Sequence, residues 1–117
     1  MKLLIVDDEQ EALDGMQGFF EAQGVKVMTA QGGHEAMALV RECQPKLIML
    51  DIKMRGMDGR EILRRAKAHD PGVAVIMVTG LSEDGLEEEC LALGASHVLH
   101  KPVRIDQLQE IVQTLHG

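Results

Sequence analysis

Short aliphatic runs alternate along this chain with stretches of helical periodicity. Leu3–Val6, Leu47–Leu50 and Val73–Val78 are continuous apolar runs, the pattern of strands buried on both faces of a parallel sheet. VKVM (Val25–Met28) and HVLH (His97–His100) mix polar with apolar positions, as edge strands do. Between these runs, Leu13, Met16, Phe19 and Phe20 make an apolar stripe closed by Gly24. Ala36, Met37, Val40 and Cys43 make a second, closed before Pro45, and Ile62, Leu63 and Ala66 a third, between Gly59 and the turn Asp70-Pro71-Gly72. Leu86, Cys90 and Leu93 form a fourth, with Ser82 expected as N-cap and Gly94 as terminator. Ile105, Leu108, Ile111, Val112 and Leu115 form the fifth and clearest.

Strict alternation with short connections predicts an α/β fold, a doubly wound parallel sheet of five strands covered by helices on both faces. No linker, low-complexity segment or charge block interrupts it, so residues 1–117 read as one domain.

Composition narrows the functional classes. Trp and Tyr are absent and only two Phe occur, so no stacking platform for nucleic-acid bases can be assembled. A formal charge of −7 disfavours both polyanions and anionic lipid surfaces, so neither nucleic acid nor membrane is an expected direct partner. Cys43 and Cys90 stand far apart without metal spacing and read as reduced thiols on helices. The start MKLLIVDDE puts acids where a signal peptide has small residues, and no run approaches the roughly 18 apolar residues of a membrane span. A cytoplasmic location is expected. Eight Met residues read as core filling rather than a binding groove.

Ligands of open α/β sheets gather beyond the carboxyl ends of the strands, near the switch point in strand order. Here those ends carry Asp7-Asp8-Glu9, Asp51, Thr79-Gly80 and Lys101-Pro102. If the strand order is 2-1-3-4-5, strands one and three adjoin, and Asp7, Asp8 and Asp51 would share one small volume facing Thr79 and Lys101. Three crowded carboxylates take up protons or bind a hard cation, for which Mg²⁺ is well suited. An Asp can attack phosphorus to give an aspartyl phosphate, while an ammonium and a hydroxyl stabilise the phosphoryl oxygens.

The segments IVDDE, LIMLDIKMRGMDG, VIMVTG and GASHVLHKPV, in this order and spacing, resemble the receiver domain of two-component response regulators across essentially the whole chain. The resemblance supplies the 2-1-3-4-5 order. It implies that Asp51 is the phosphoacceptor, that Asp8 binds Mg²⁺ (or Mn²⁺) directly and Asp7 mainly through water, and that the backbone carbonyl of Lys53 is a further ligand. By the same resemblance Lys101 would pair with Asp51 at rest and with the phosphoryl group afterwards, and its bond to Pro102 would be cis. Thr79 would follow the phosphoryl group, and Gly80 would leave the acceptor open to a phosphohistidine. Glu9 reads as a solvated acid of the first helical turn. The implied activity is that of a switch rather than an enzyme, one that promotes its own phosphorylation and dephosphorylation. A histidine kinase or histidine phosphotransfer protein would supply the phosphoryl group. A downstream protein or output domain would read the face made by the fourth helix, last strand and fifth helix.

Several positions depart from the family pattern. Val98 stands where an aromatic switch residue is usual, Val103 where Phe follows Lys-Pro, and Arg55 where a Pro follows the acceptor loop. The chemistry does not need the missing ring, but the usual rotamer switch is lost. Ile105–Gly117 has no Lys or Arg to meet the acids Glu87, Glu88 and Glu89, which argues against the charge-paired dimer of winged-helix regulators. Lys53 and Leu81 occupy positions that tune phosphoryl lifetime in the family. His34, His69, His97, His100 and His116 read as surface residues, with His97 and His100 near the output face. A flavin carrier of the same topology would need a Ser/Thr/Gly-rich phosphate loop and flanking aromatics, and a dehalogenase-type hydrolase a second Asp in place of Lys53. The alternative that stays open is a degenerate receiver used only for docking, independent of phosphorylation.

Overall fold

The aliphatic runs form the strands and the periodic stretches form the helices. A computed structural model of the chain describes residues 1–54, 56–80 and 82–116, without the side chain of His116. Arg55, Leu81 and Gly117, including the loop and lifetime positions noted above, lie outside the described residues. The elements run β1 (Lys2–Val6), α1 (Gln10–Glu21), β2 (Lys26–Ala30), α2 (Gly33–Cys43), β3 (Leu47–Asp51), β4 (Lys53–Met54), β5 (Met57–Asp58), α3 (Gly59–His69), β6 (Ala74–Thr79), α4 (Leu86–Ala92), β7 (His97–His100) and α5 (Ile105–His116).

Five parallel strands make the main sheet in the order β2-β1-β3-β6-β7, which is 2-1-3-4-5 once the small antiparallel pair β4-β5 is set aside. That pair, inserted between β3 and α3, was not visible in the hydrophobic pattern because two-residue strands carry no periodicity. All five residues of β3 are buried, as a central strand covered on both faces demands.

Period-two alternation divides the core between the two faces. Leu4, Val6, Ile48, Leu50, Val75 and Met77 face one way and pack with Ala36 and Val40 of α2, Ile62 and Leu63 of α3, and Leu86 and Cys90 of α4. Leu3, Ile5, Leu47, Met49, Ile76 and Val78 face the other way, against Leu13 and Phe20 of α1 and Leu108 and Val112 of α5. Each such side chain, removed from water, contributes about 1.5–3 kcal/mol of transfer free energy. The methionines Met49 and Met77, 2% and 0% exposed, are core filling as expected.

Helix ends follow the anticipated punctuation with one exception. Gly24 and Gly94 terminate α1 and α4 with φ of 84° and 109°, a region open to glycine. Ser82 is not the N-cap of α4, however: the helix begins one turn later with Gly85 in that position, without a side-chain cap. Val98 packs against the core cluster that contains Leu86 and Cys90, so an aliphatic side chain fills the space beneath α4.

Candidate functional site

Strand register brings the acids together. Val6 pairs with Leu50 across β1 and β3, so the residues that follow, Asp7 and Asp51, leave the sheet at the same level. They continue the alternating faces of Leu3-Ile5 and Leu47-Met49, so both carboxylates emerge on the α1–α5 side. Asp7 keeps its backbone in the ladder by donating to the Ala30 carbonyl at 3.1 Å. On the other side Asp51 pairs with Val78, and Thr79 pairs with His100, which delivers Gly80 and Lys101 to the same rim.

Asp7, Asp8 and Asp51 each offer a carboxylate oxygen within 4.8 Å of the others. Asp51 is only 7% exposed and Thr79 1%, so the acceptor candidate and the hydroxyl are the buried polar residues of the sheet among those described. The Lys101 ammonium donates to Asp51 Oδ2 at 2.9 Å, and the Lys53 N–H donates to Asp51 Oδ1 at 3.3 Å. Lys101 is itself fixed through its backbone, donating to the Thr79 carbonyl at 2.8 Å. The Lys101-Pro102 peptide is cis. Gly80 is exposed at the rim, and a Cβ there would lie 3.9 Å from Lys101 Cδ. A depression of about 490 Å³ opens over the group, lined by Asp8, Glu9, Asp51, Lys53, Met54, Gly80 and Lys101.

Electrostatics bear the stamp of the crowding. Burial pushes the Asp7 carboxyl above the ordinary Asp range and the Asp51 and Asp8 charges push the same way, against the Glu9 N–H and Lys101. Burial pulls on Lys101 in the opposite sense, but its hydrogen bond to Asp51 and the charges of Asp51, Asp7 and Glu9 outweigh that and raise its pKa. Hard carboxylate oxygens this close together fit a hard divalent cation, since Mg²⁺ holds its oxygens at about 2.0–2.1 Å. Asp7, Asp8 and Asp51 are the side chains that could hold it.

Glu9 is the solvated acid expected, placed at the N-cap of α1 rather than inside its first turn. Its side chain is exposed at the N-cap position of α1 and makes no capping bond, whereas its backbone N–H donates to Asp7 Oδ1 at 2.9 Å. Gly59 is a second residue that the pattern did not single out for the site. Its N–H donates to the Ile52 carbonyl at 2.7 Å, and a Cβ on it would lie 2.3 Å from the Asp51 carbonyl oxygen. The Met-Asp-Gly run closing the acceptor motif was the available signal. The histidines His34, His69, His97 and His100 are exposed, and none stands among the acids.

The family model of the response regulator receiver domain matches residues 3–113. The chain belongs to the response regulator receiver family. It is 36% identical over 112 residues to sporulation initiation phosphotransferase F of Bacillus subtilis, covering 96% of this chain and 90% of that protein. Among solved structures it is similar to a CheY-like response regulator receiver domain protein from Methanospirillum hungatei, with 34% identity, a TM-score of 0.91 and coverage of 98% and 93% of the two chains. It is also similar to a chain of the CheX–CheY–BeF3–Mg²⁺ complex from Borrelia burgdorferi, with 28% identity, a TM-score of 0.90 and coverage of 100% and 90%. The chain spans only 33% and 25% of the length of the transcriptional regulatory proteins that it also matches. Receivers of this family are phosphoacceptor switches of two-component signalling, bind Mg²⁺ at an acidic pocket, and interact with kinases, phosphotransfer proteins and output domains. No helix among the described residues is long and apolar enough to cross a membrane.

Proposed function

We propose that this receiver accepts a phosphoryl group on Asp51, in a Mg²⁺-dependent reaction, from a histidine kinase or a histidine phosphotransfer protein. The observation that carries the reading is the nearly buried Asp51 carboxylate held between an ammonium at 2.9 Å and two further acids. Lys53 and Lys101 hydrogen bonds orient both oxygens of Asp51, leaving its remaining lone pairs toward the open depression. An Asp51 oxygen attacks phosphorus and the bond to the donor nitrogen breaks, with little other covalent chemistry asked of the protein. Asp8 and Asp51 with the Lys53 backbone carbonyl would hold a Mg²⁺ directly and Asp7 mainly through water, and the cation would supply charge neutralisation for the anionic phosphoryl oxygens. Lys101 adds a second positive charge and Thr79 a hydroxyl donor. Exposed Gly80 keeps the rim low, so that a partner's histidine ring can approach.

The product carries about −1.5 to −2 of added charge in a site already crowded with acids. That charge reshapes the contacts of Lys101 and Thr79, and with them the face of α4, β7 and α5 offered to a downstream protein or output domain. Val98 leaves no aromatic rotamer to report the change, so packing beneath α4 has to carry it. Reaction with acetyl phosphate and Mg²⁺, followed by mass spectrometry, tests the reading. One acid-stable, base-labile adduct that vanishes in Asp51→Asn is expected; an adduct that persists in that variant, or none in the parent, overturns it.

A further inference from the structure

Away from the acids, one arginine is shared by three carboxylates from three segments. Arg60, in the first turn of α3, sends Nη2 to Asp58 Oδ2 at 2.6 Å and Nε to Asp58 Oδ1 at 3.0 Å. Its Nη1 reaches Glu89 Oε1 of α4 at 2.7 Å and stands 3.7 Å from Glu83 Oε2, in the link between β6 and α4. The Arg60 side chain is 26% exposed, so the fork is partly shielded, whereas Glu83 and Glu89 are half exposed.

The place of this fork matters more than its strength. Gly59, beside Arg60, is packed on the carbonyl of Asp51, and Glu83 lies four residues beyond Thr79. Arg60 therefore ties together the two segments that leave the phosphorylation site, one from the acceptor and one from the hydroxyl. The element it holds is short, and its other ties are its buried side chains and Glu87, 4.0 Å from His100 of β7. Helix α4 has seven residues, its buried side chains are Leu86 and Cys90, and so short a helix depends on tertiary contacts to persist. A planar guanidinium with several donors suits this role because it can keep Asp58 while exchanging one glutamate for another.

We propose that Arg60 is an ionic latch that holds α4 and the preceding link against the N-terminus of α3 in the resting receiver, and that release of Glu83 and Glu89 accompanies phosphorylation. The regulatory half of this inference rests on the proposed chemistry at Asp51; the latch itself does not. Movement of the segment after Thr79 toward a new phosphoryl group draws Glu83 away from Arg60 and leaves Glu89 as the last hold on α4. A latch of this kind lowers the population of the active arrangement in the resting protein and so slows phosphorylation.

Amide hydrogen exchange on the unphosphorylated full chain tests the latch directly. Glu89→Gln, which leaves the Asp58 cap of α3 intact, and Arg60→Met should both speed exchange across residues 86–92 by roughly two- to tenfold, with residues 105–116 unchanged. Adding Glu89→Gln to Arg60→Met should give no further acceleration. Unchanged exchange in Glu89→Gln, or effects of the two changes that simply add, overturns the latch. The initial rate of Asp51 modification by acetyl phosphate should rise in Glu89→Gln by a similar factor. Faster exchange without faster modification overturns the coupling alone, and a parent chain that takes no phosphoryl group overturns the function reading together with that coupling.

Discussion

Replacing Asp7 with Asn should make the metal-free protein more stable, although it removes a proposed metal ligand. Two unit charges at most 4.8 Å apart repel by about 1 kcal/mol under full water screening and by about 3.5 kcal/mol at an effective dielectric near 20. Asp7 meets two such charges, in Asp51 and Asp8, and gains back part of the cost from Lys101 and the Glu9 N–H. Its side chain is partly exposed, so the lower figure governs each pair, and the net relief is about 1 kcal/mol. Asn keeps an oxygen to accept the Glu9 N–H, so the turn into α1 is preserved. The expected rise in melting temperature in EDTA is about 3–6 °C.

Saturating Mg²⁺ should reverse the ranking. A cation at a hundred times its Kd stabilises the folded parent by about 2.7 kcal/mol, and Asp7→Asn forfeits most of that. The pH dependence has a defined sign. A carboxyl whose pKa is raised by folding favours the folded state while protonated, and that advantage is lost as pH rises through the raised value. The gain from Asp7→Asn is therefore full at neutral pH and shrinks to nothing as pH falls below the ordinary Asp value. Calorimetry or far-UV circular dichroism is the assay, because the chain has neither Trp nor Tyr to report by fluorescence. A variant less stable than the parent in EDTA, or one stabilised equally by Mg²⁺, would refute the electrostatic account of the site.

Two glycines should respond very differently to the same substitution. Gly59→Ala drives a Cβ to 2.3 Å from the Asp51 carbonyl and 2.9 Å from Ile52 Cα, both backbone atoms, so a loss of about 2–3 kcal/mol in urea unfolding is expected together with impaired modification of Asp51. Gly33→Ala meets the flexible Met57 side chain instead and should cost about 1 kcal/mol or less, with modification unaffected. Lys101→Met removes the ammonium that shares Asp51, so titration calorimetry should show tighter Mg²⁺ binding, by roughly threefold to tenfold, while phosphorylation slows.

Much of the architecture was legible in order and periodicity. Continuous aliphatic runs of the length of Leu47–Leu50 can be satisfied only by burial on both faces, and strict alternation with helices leaves a parallel sheet as the arrangement that covers them. Acids at the ends of two such runs, a Thr at a third and a Lys at a fourth were visible as chemistry waiting for a shared location. The small β4-β5 pair was not, since two-residue strands depend on the turn between them rather than on any repeat. Nor was the start of α4: Ser82 has the side chain of an N-cap, but the helix begins at Leu86 with Gly85 in the N-cap position. Glu9 is exposed as expected, and only the fold shows its backbone N–H bound to Asp7.

What the sequence determined by itself was which residues lie on strands, which ends carry charge, and that the core is aliphatic. Hydrophobic spacing is a local property, and a single chain displays it in full. Tertiary structure decided which of those charges meet. Register between β1 and β3 sets Asp7 level with Asp51, the packing of Gly59 presses α3 onto the Asp51 carbonyl, and the approach of Glu83 and of Glu89 on α4 to α3 gives Arg60 its two distant glutamates. Arg60 and Glu89 stand 29 residues apart in sequence, and Asp51 and Lys101 stand 50 apart. Coulombic attraction and repulsion depend on distance in space, which the fold sets and the spacing of letters does not.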